Sequence, residues 1–534
     1  MGIFDFGRRG LRSHATLDAG SGELKRNSMA KAIEDARNPA PARRHSMHVN
    51  AARMMFASAD IGRLTGDWPT SPQPADWIIT RFQRTLVARS REQASNNDIM
   101  KAYLRLQRIN IVGPDGISFH SQVMDGDQPN RRARRAIEAC FAKWGRRENC
   151  DIAGKLSWRA LQSACCETAA RDGEFFLRII TGADAGAMGF ALQVIDPQRC
   201  PVELDRNDLP NGGFIRQGIE FNRYGKATHY FFADAASDRS GQGYAYNGKS
   251  YARVPAAEVI HGFVQEMPGQ KRGLPWASTG LFRAKQVQAG EDASVVNMRI
   301  GAAKMGFIEF EPGTGPEVDD DEMIIDAEAG TFPVLPEGAK LKQFDPMYPA
   351  GELVPFVKLM HRAFATGGGV SYHSLTGDLT DVNFSSIRHG TLDERETYKE
   401  RQEWLREELC DRVFDAFLPR ALLARLVVDD RGVALPASSV DVYMARVWQP
   451  RRWSWIDPRA DVQAAEDWKN NLLTSPSELI REKGRDPLNV WAETGADIAA
   501  MREAGIPMEV IAASFGQKPT APPAAAETKG VAQE

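Results

Sequence analysis

The segment spanning residues 275–304 places the strongest limit on what this chain can fold into. It reads as one long helix. Its large apolar residues, Leu281, Val287, Val295 and Met298, are thinly spread among Ala284, Ala289, Ala293, Ala302 and Ala303. Pro275 suits a first helical turn, where a missing N–H leaves no hydrogen bond unmade. At 1.5 Å per residue, about 28 residues make a rod of about 40 Å. So weak an apolar face buries little alone. Small side chains on several faces fit close packing against copies of the same helix better than a place in a monomer core. A plain helix between two domains is the alternative.

The flanking sequence extends the pattern. Residues 307–344 form a β-like insertion containing the acidic run Glu317, Asp319, Asp320, Asp321 and Glu322, and residues 351–366 return as a second, shorter helix. The order is helix, small insertion, helix. A Gly/Ser/Asp/Asn-rich loop over 367–386 leads into a strongly charged helix over 387–423. A short β patch and Trp448-Gln-Pro-Arg-Arg-Trp453 then precede helical segments that run to about Ser514. Upstream, residues 76–111 carry apolar residues at helical spacing and predict two helices before the turn Asn110-Ile-Val-Gly-Pro-Asp-Gly116. Residues 175–264 shorten to apolar bursts between Gly, Asp, Asn and Pro, the pattern of strands.

Charge and composition remove several classes. The 534 residues carry 67 Lys+Arg against 70 Asp+Glu, a formal net charge of −3. A surface that gripped nucleic acid all over would need many more cations facing phosphate, so any DNA contact is expected to be local or weak. Residues 1–60 hold ten Lys/Arg against six Asp/Glu, with no sustained apolar period. They read as a basic arm that either stays unstructured or orders on a partner subunit or nucleic acid. Six cysteines, Cys140, Cys150, Cys165, Cys166, Cys200 and Cys410, include no CxxC pair and read as buried thiols of a reducing compartment. No run approaches the roughly 18 apolar residues that span a bilayer. Met1-Gly-Ile-Phe-Asp-Phe6 lacks the apolar core of a secretory signal. The expectation is a cytoplasmic product that contacts no membrane.

One motif misleads. Gly243-Tyr-Ala-Tyr-Asn-Gly248-Lys249-Ser250 fits G-x-x-x-x-G-K-[ST], a phosphate loop that must leave a strand and open a helix. The polar residues before it and the strand-like residues after it predict a surface hairpin turn instead, with no catalytic role for Lys249. The nine histidines form no HExxH, and no G-x-S-x-G elbow occurs. The acidic run lacks the glycine and spaced oxygens of a calcium loop and reads as a solvated face. Arg131, Arg132, Arg134 and Arg135 read as an exposed helix face rather than a nucleic-acid site. No enzyme activity, cofactor or metal is expected.

Taken in order, local motifs over roughly residues 77–493 resemble the lambda-type portal protein family of tailed bacteriophages. They are Leu86-Val-Ala-Arg-Ser-Arg91 with Asn96-Asn97, the turn at 110–116, Trp144 with Cys150-Asp151 and Trp158, and Asp172-Gly-Glu-Phe-Phe176. They continue with Pro255-Ala-Ala-Glu-Val-Ile-His261, Pro268-Gly-Gln-Lys-Arg-Gly-Leu-Pro275, and Gly369-Val-Ser-Tyr372 with Leu375 and Gly377-Asp378. Asn383-Phe-Ser-Ser-Ile-Arg388 and Trp448-Gln-Pro450 with Asp457-Pro458 complete the set. Each piece alone is weak; nine in the expected order are hard to produce by chance.

The resemblance implies an α+β portal fold with wing, long-helix stem, small clip insertion and helical crown. It divides the chain into a mobile arm (1–60), wing (61–274), first stem helix (275–305), clip (306–346), second stem helix (347–372) and tunnel loop (373–386). A long wing helix with a β patch (387–456), the crown (457–515) and a disordered tail (516–534) follow. It further implies a ring, a dodecamer, at one capsid vertex, with double-stranded DNA passing non-specifically through it. Implied partners are the terminase large subunit, head completion or connector proteins, and the major capsid or scaffold protein, in a virion assembled in the host bacterial cytoplasm. Lys358, Arg362, Asp378, Asp381 and Asn383 would face the channel, with the two aspartates repelling phosphate and the two cations weakly attracting it. Glu317, Asp319, Asp320, Asp321 and Glu322 would form a docking rim, and Ala293 and Ala302 would make ring contacts. Two other classes compete: another head completion or tail structural protein, and a P-loop enzyme.

Overall fold

The computed structural model describes residues 63, 65–233, 251–302, 306–310, 339–343, 351, 353–380, 383–453 and 458–514. Residues 1–73 form one unit and residues 74–534 another. In the first, the described residues make a turn closed by the Trp68 N–H donating to Thr65 O at 3.0 Å. The expectations for residues 1–60, the decoy loop at 243–250, the acidic run and the tail lie outside the described residues.

The second unit opens with α1 (Ala75–Asn96) and α2 (Asp98–Ile111). Asn97 separates them by serving both: its N–H donates to Gln93 O at 2.9 Å, and its side-chain oxygen accepts the Met100 N–H at 3.0 Å. A short side chain that can cap a helix start explains the break between two strongly helical runs. Then come β1 (Ser118–Ser121), α3 (Arg131–Trp144) and α4 (Trp158–Asp172). Arg134 departs from the exposed face expected for its cluster. It is buried, with Nε donating to Val123 O at 2.8 Å, because the turn before α3 folds back over it.

The expected β block forms two sheets. Strands β2 (Glu174–Thr181), β3 (Phe190–Ile195) and β8 (Val259–Phe263) pair in the order β8-β2-β3. Strands β4 (Phe214–Arg216), β5 (Ile219–Phe221), β6 (Ala227–Ala233) and β7 (Tyr251–Pro255) follow one another as an antiparallel meander. Phe176, Ile219, Tyr230, Phe232 and Val259 fill a small core between these strands.

The long helix α5 spans Leu281–Ala302, six residues later than Pro275 suggested. The reason is a long-range contact. The Trp276 N–H donates to Ala170 O at 3.2 Å, and residues 275–280 are spent on turns. At 22 residues the helix is about 33 Å long. Strands β9 (Gly306–Phe310) and β10 (Ala339–Gln343) pair antiparallel beyond it, and α6 (Leu353–Gly368) returns. The polar loop contains a short helix, α7 (Tyr372–Thr376).

Helix α8 (Phe384–Leu405) continues through a π-turn (Arg406–Asp411) into α9 (Arg412–Leu423). β11 (Arg446–Gln449) pairs antiparallel with β1, tying the charged-helix region to the first half of the chain. The main core forms around Trp144, Phe141, Phe190, Phe414 and Phe417, where α3, β3 and α9 meet. Burial of several such rings outweighs the weak local preferences of the loops that join them. Helices α10 (Pro458–Asn470), α11 (Pro476–Glu482), α12 (Pro487–Glu503) and α13 (Met508–Ser514) complete the described chain. No described helix is long and apolar enough to cross a membrane. All six cysteines are free and buried.

Candidate functional site

One polar cluster lies before the start of α5, and a second joins α6 to the loop that follows it. At the base, Glu174 begins β2 and Arg272 precedes α5, both without solvent exposure. Arg272 Nε donates to both Glu174 oxygens at 2.9 Å, and Nη2 donates to Oε1 at 2.6 Å. The remaining guanidinium donors meet main-chain oxygens: Nη1 meets Gln217 O at 2.7 Å and Cys200 O at 3.2 Å, and Nη2 meets Pro197 O at 3.3 Å. Gln83 from α1 and the Gly273 N–H also donate to the same carboxylate.

Burial opposes ionisation of Glu174, but Arg272 and His261 outweigh it and hold the carboxyl at about 2. Burial pushes His261 below the usual histidine range, against the pull of Glu174. His261 is therefore neutral, and its Nε2 donates to Glu174 at 3.0 Å because a carboxylate can only accept. A charge pair buried this deeply is tolerable only because every donor is matched.

The glycines of this knot are required by contact. A Cβ on Gly273 would stand 2.0 Å from Gly173 O, and one on Gly173 would stand 2.4 Å from the Leu274 carbonyl carbon. Gly173 also has φ +94°, closed to most L-residues. The Asp-Gly-Glu-Phe-Phe and Pro-Gly-Gln-Lys-Arg-Gly-Leu-Pro motifs are thus two halves of one structural joint from which α5 departs.

The second cluster holds the loop after α6. Asp378 accepts from Tyr372 Oη at 2.8 Å, Thr380 N at 3.0 Å and Thr380 Oγ1 at 2.5 Å, and it pairs with Lys358 Nζ at 3.0 Å. The Thr380 hydroxyl, then the Thr380 N–H, Lys358 and Tyr372, hold the Asp378 carboxyl well below the usual carboxylate range. Arg362 lies one turn along α6 from Lys358, its guanidinium 5.3 Å from the Tyr372 ring centre. Lys358, Arg362 and Asp378 are therefore brought together, but the attraction and repulsion expected of them separately are joined in one ion pair. Asn383 caps α8, its side-chain oxygen accepting from Ser386 N at 2.8 Å. Beside the loop, α2, α5 and α6 enclose a hollow of about 670 Å³ that Lys101, Arg105, Glu291 and His361 help line.

Ala293 is exposed on α5. Ala302 is the last residue of that helix; its surroundings lie outside the described residues, as do Asp381, Glu317, Asp319, Asp320, Asp321 and Glu322. No group of three or more metal-ligating side chains occurs among the described residues. The described chain resumes in the strand β7 at Tyr251, directly after Ser250. Sequence reasoning missed the Glu174–Arg272 joint. Its signal was a glutamate directly before the apolar run Phe175-Phe176-Leu177 and an arginine directly before Gly273-Leu274-Pro275, places where a charge needs a partner.

Residues 61–402 match the family model described as phage portal protein, lambda family. The chain is 32% identical over 501 residues to the probable portal protein of Halomonas phage phiHAP-1, covering 91% of this chain and 94% of that one. Among solved structures it is similar to a chain in the neck of an empty gene transfer agent particle solved with C6 symmetry, at 14% identity and a TM-score of 0.41. A chain in the neck of the native particle, solved with C12 symmetry, matches at the same values. In both, the match covers 76% of this chain and 94% of the other.

Proposed function

The chain belongs to the lambda family of phage portal proteins, and from that premise we propose that it closes side by side with copies of itself into a dodecameric ring at one capsid vertex. One observation carries the reading. At their base, α5 and α6 bury Ala284, Val287, Phe364 and Ala365. Away from it they expose Val295, Val296 and Met298 on α5, and Val354, Phe356 and Leu359 on α6, the last at 61% exposure. Apolar side chains grouped on two packed helices mark an interaction surface. A head-to-tail contact repeated by a closing rotation yields a ring. Ala293 and Ala302 lie on the helix that such neighbours would approach.

In this reading double-stranded DNA passes through the ring during packaging and leaves by it later. The chain hydrolyses nothing. The terminase large subunit, and afterwards head completion or connector proteins, dock at the insertion of residues 306–346 with its acidic run, and the major capsid or scaffold protein surrounds the wing. The loop of residues 373–386 borders the narrowest part of the channel. A wall on which Lys358 and Asp378 neutralise each other suits a sliding polymer, because each added phosphate contact adds salt-dependent grip. The ring is a component of the virion, assembled in the host bacterial cytoplasm. Negative-stain imaging of the purified chain tests the proposal: rings with a central hole are expected, and monomers that hydrolyse ATP would contradict it.

A further inference from the structure

A second feature lies away from the stem. Helix α4 carries a stripe with Arg159 exposed and Ser163, Glu167 and Arg171 half-buried at successive i+4 positions, and with Ala160, Ala164 and Thr168 beside them. This stripe floors an open trough of about 810 Å³, walled by Arg108 from α2 and by Arg451, two residues after β11. From Arg159 to Arg171 the stripe runs about 18 Å. Between the charged groups its floor is built of small side chains, Ala160, Ser163, Ala164 and Thr168.

The arginines are not equivalent. Arg108 is offset by Glu167 at 3.1 Å, and Arg171 is engaged with the buried Asp172 at 3.0 Å. Arg159 has no hydrogen-bond or ion-pair partner among the described residues. Arg451 is fixed by neutral acceptors, its Nη1 donating to Ile109 O at 2.5 Å and Asn110 Oδ1 at 3.1 Å, so its charge meets no carboxylate among the described residues. The chain makes room for it: Gly113 has φ +76°, and a Cβ there would stand 2.9–3.1 Å from the Arg451 stem. Burial pulls the Arg451 pKa down, as expected of a half-buried cation without a counter-charge.

We propose that the trough along α4 between Arg159, Arg451 and Arg171 is a binding site for the phosphate backbone of double-stranded DNA, separate from the channel. Two uncompensated guanidinium groups, Arg451 held in place by Ile109 and Asn110 and Arg159 exposed at the other side, supply the charge and the bidentate geometry that phosphate oxygens take. A floor of small side chains between cationic walls lets a bulky, repeating anionic backbone approach the helix along its length. At about 3.4 Å of helix axis per phosphate of one strand, 18 Å spans about five phosphates. With only two uncompensated cations the contact is weak and sequence-independent.

The test is fluorescence anisotropy of a labelled 20-base-pair duplex titrated with the purified full chain at several salt concentrations, with the oligomeric state followed in the same samples by light scattering. Arg159→Ala alters an exposed side chain and should leave the fold intact; Arg451→Gln keeps a donor for Ile109 O and serves as the second variant, with circular dichroism checking both. Loss of one phosphate contact predicts about eightfold weaker binding at 0.1 M salt and a salt slope smaller by about 0.9 for each variant. Unchanged affinity and slope in both folded variants would overturn the site. Equal or tighter binding of a labelled decaglutamate, lost in the same variants, would also overturn it by assigning the trough to an acidic protein segment. Because the readout does not depend on ring formation, its failure is distinct from failure of the ring.

Discussion

The guanidinium of Arg272 and the carboxylate of Glu174 share three hydrogen bonds, 98 residues apart in sequence and without solvent exposure. The pair joins the strand that opens the first sheet to the residues that lead into α5, so the direction of the long helix is tied to the sheet through a charge pair. Removing one partner leaves the other charged and buried, which costs about 3–5 kcal/mol. Arg272→Ala should lower stability by that order in denaturant unfolding. Arg272→Lys should not rescue it, because a point-like ammonium cannot reach Glu174, Gln217 and Cys200 together.

Gly273→Ala should be at least as damaging. Its Cβ would stand 2.0 Å from a main-chain oxygen, and neither strand nor helix can give way without breaking the Arg272–Glu174 pair. Gly126→Ala, where φ is also positive but open space surrounds the residue, provides the contrast. It should cost about 1–2 kcal/mol from backbone conformation alone, as measured by the shift in unfolding midpoint.

Acid should weaken the fold through the same joint. The folded pKa of Glu174, about 2, lies below its unfolded value of about 4.3. Its contribution is therefore complete above about pH 4.3 and lost as pH falls through the folded value. His261 is also depressed, so its stabilising contribution is present above about pH 6.5 and declines as pH falls below that. Melting temperature should fall on acidification from pH 7 to pH 4. In His261→Gln the decline between pH 6.5 and pH 5 should be smaller; an identical profile would show that His261 is not the titrating group.

The Lys358–Asp378 pair should matter to the loop more than to the fold. Solvent screens a part-exposed ion pair such as this one, so Asp378→Asn should leave the unfolding midpoint nearly unchanged. It should speed hydrogen exchange at residues 376–380, where Asp378 ties Thr380 and Tyr372 together. Asp378→Lys with Asp381→Lys should slow DNA passage at low salt and recover it as salt rises, because added phosphate contacts weaken with ionic strength. Packaging at the parental rate at every salt concentration would remove the loop from the channel.

The helices at 76–111, the sheet region and the helix, insertion, helix order were legible because they rest on periodicity within one segment. The start of α5 was not, since Leu281 rather than Pro275 begins it only because Gly173 and Gly273 touch and Trp276 bonds to Ala170. Asp378 and Lys358 carry their charges visibly in the sequence, but a turn of α7 is what brings them together. Arg134 was read with its neighbours as exposed, and only the fold of the preceding turn hides it. Contacts between separate segments decide all three cases, and the pattern within one segment carries no record of them.

Native mass spectrometry of the purified chain beside Ala293→Arg tests the central claim most directly. Ala293 is exposed on α5, so a long cation there leaves the subunit folded but must enter a close helix contact in a ring, where an unpaired charge is costly. The account predicts a closed assembly of twelve subunit masses for the parental chain and folded monomers for Ala293→Arg. A parental chain that stays monomeric, or a variant that forms the same intact rings, would contradict it.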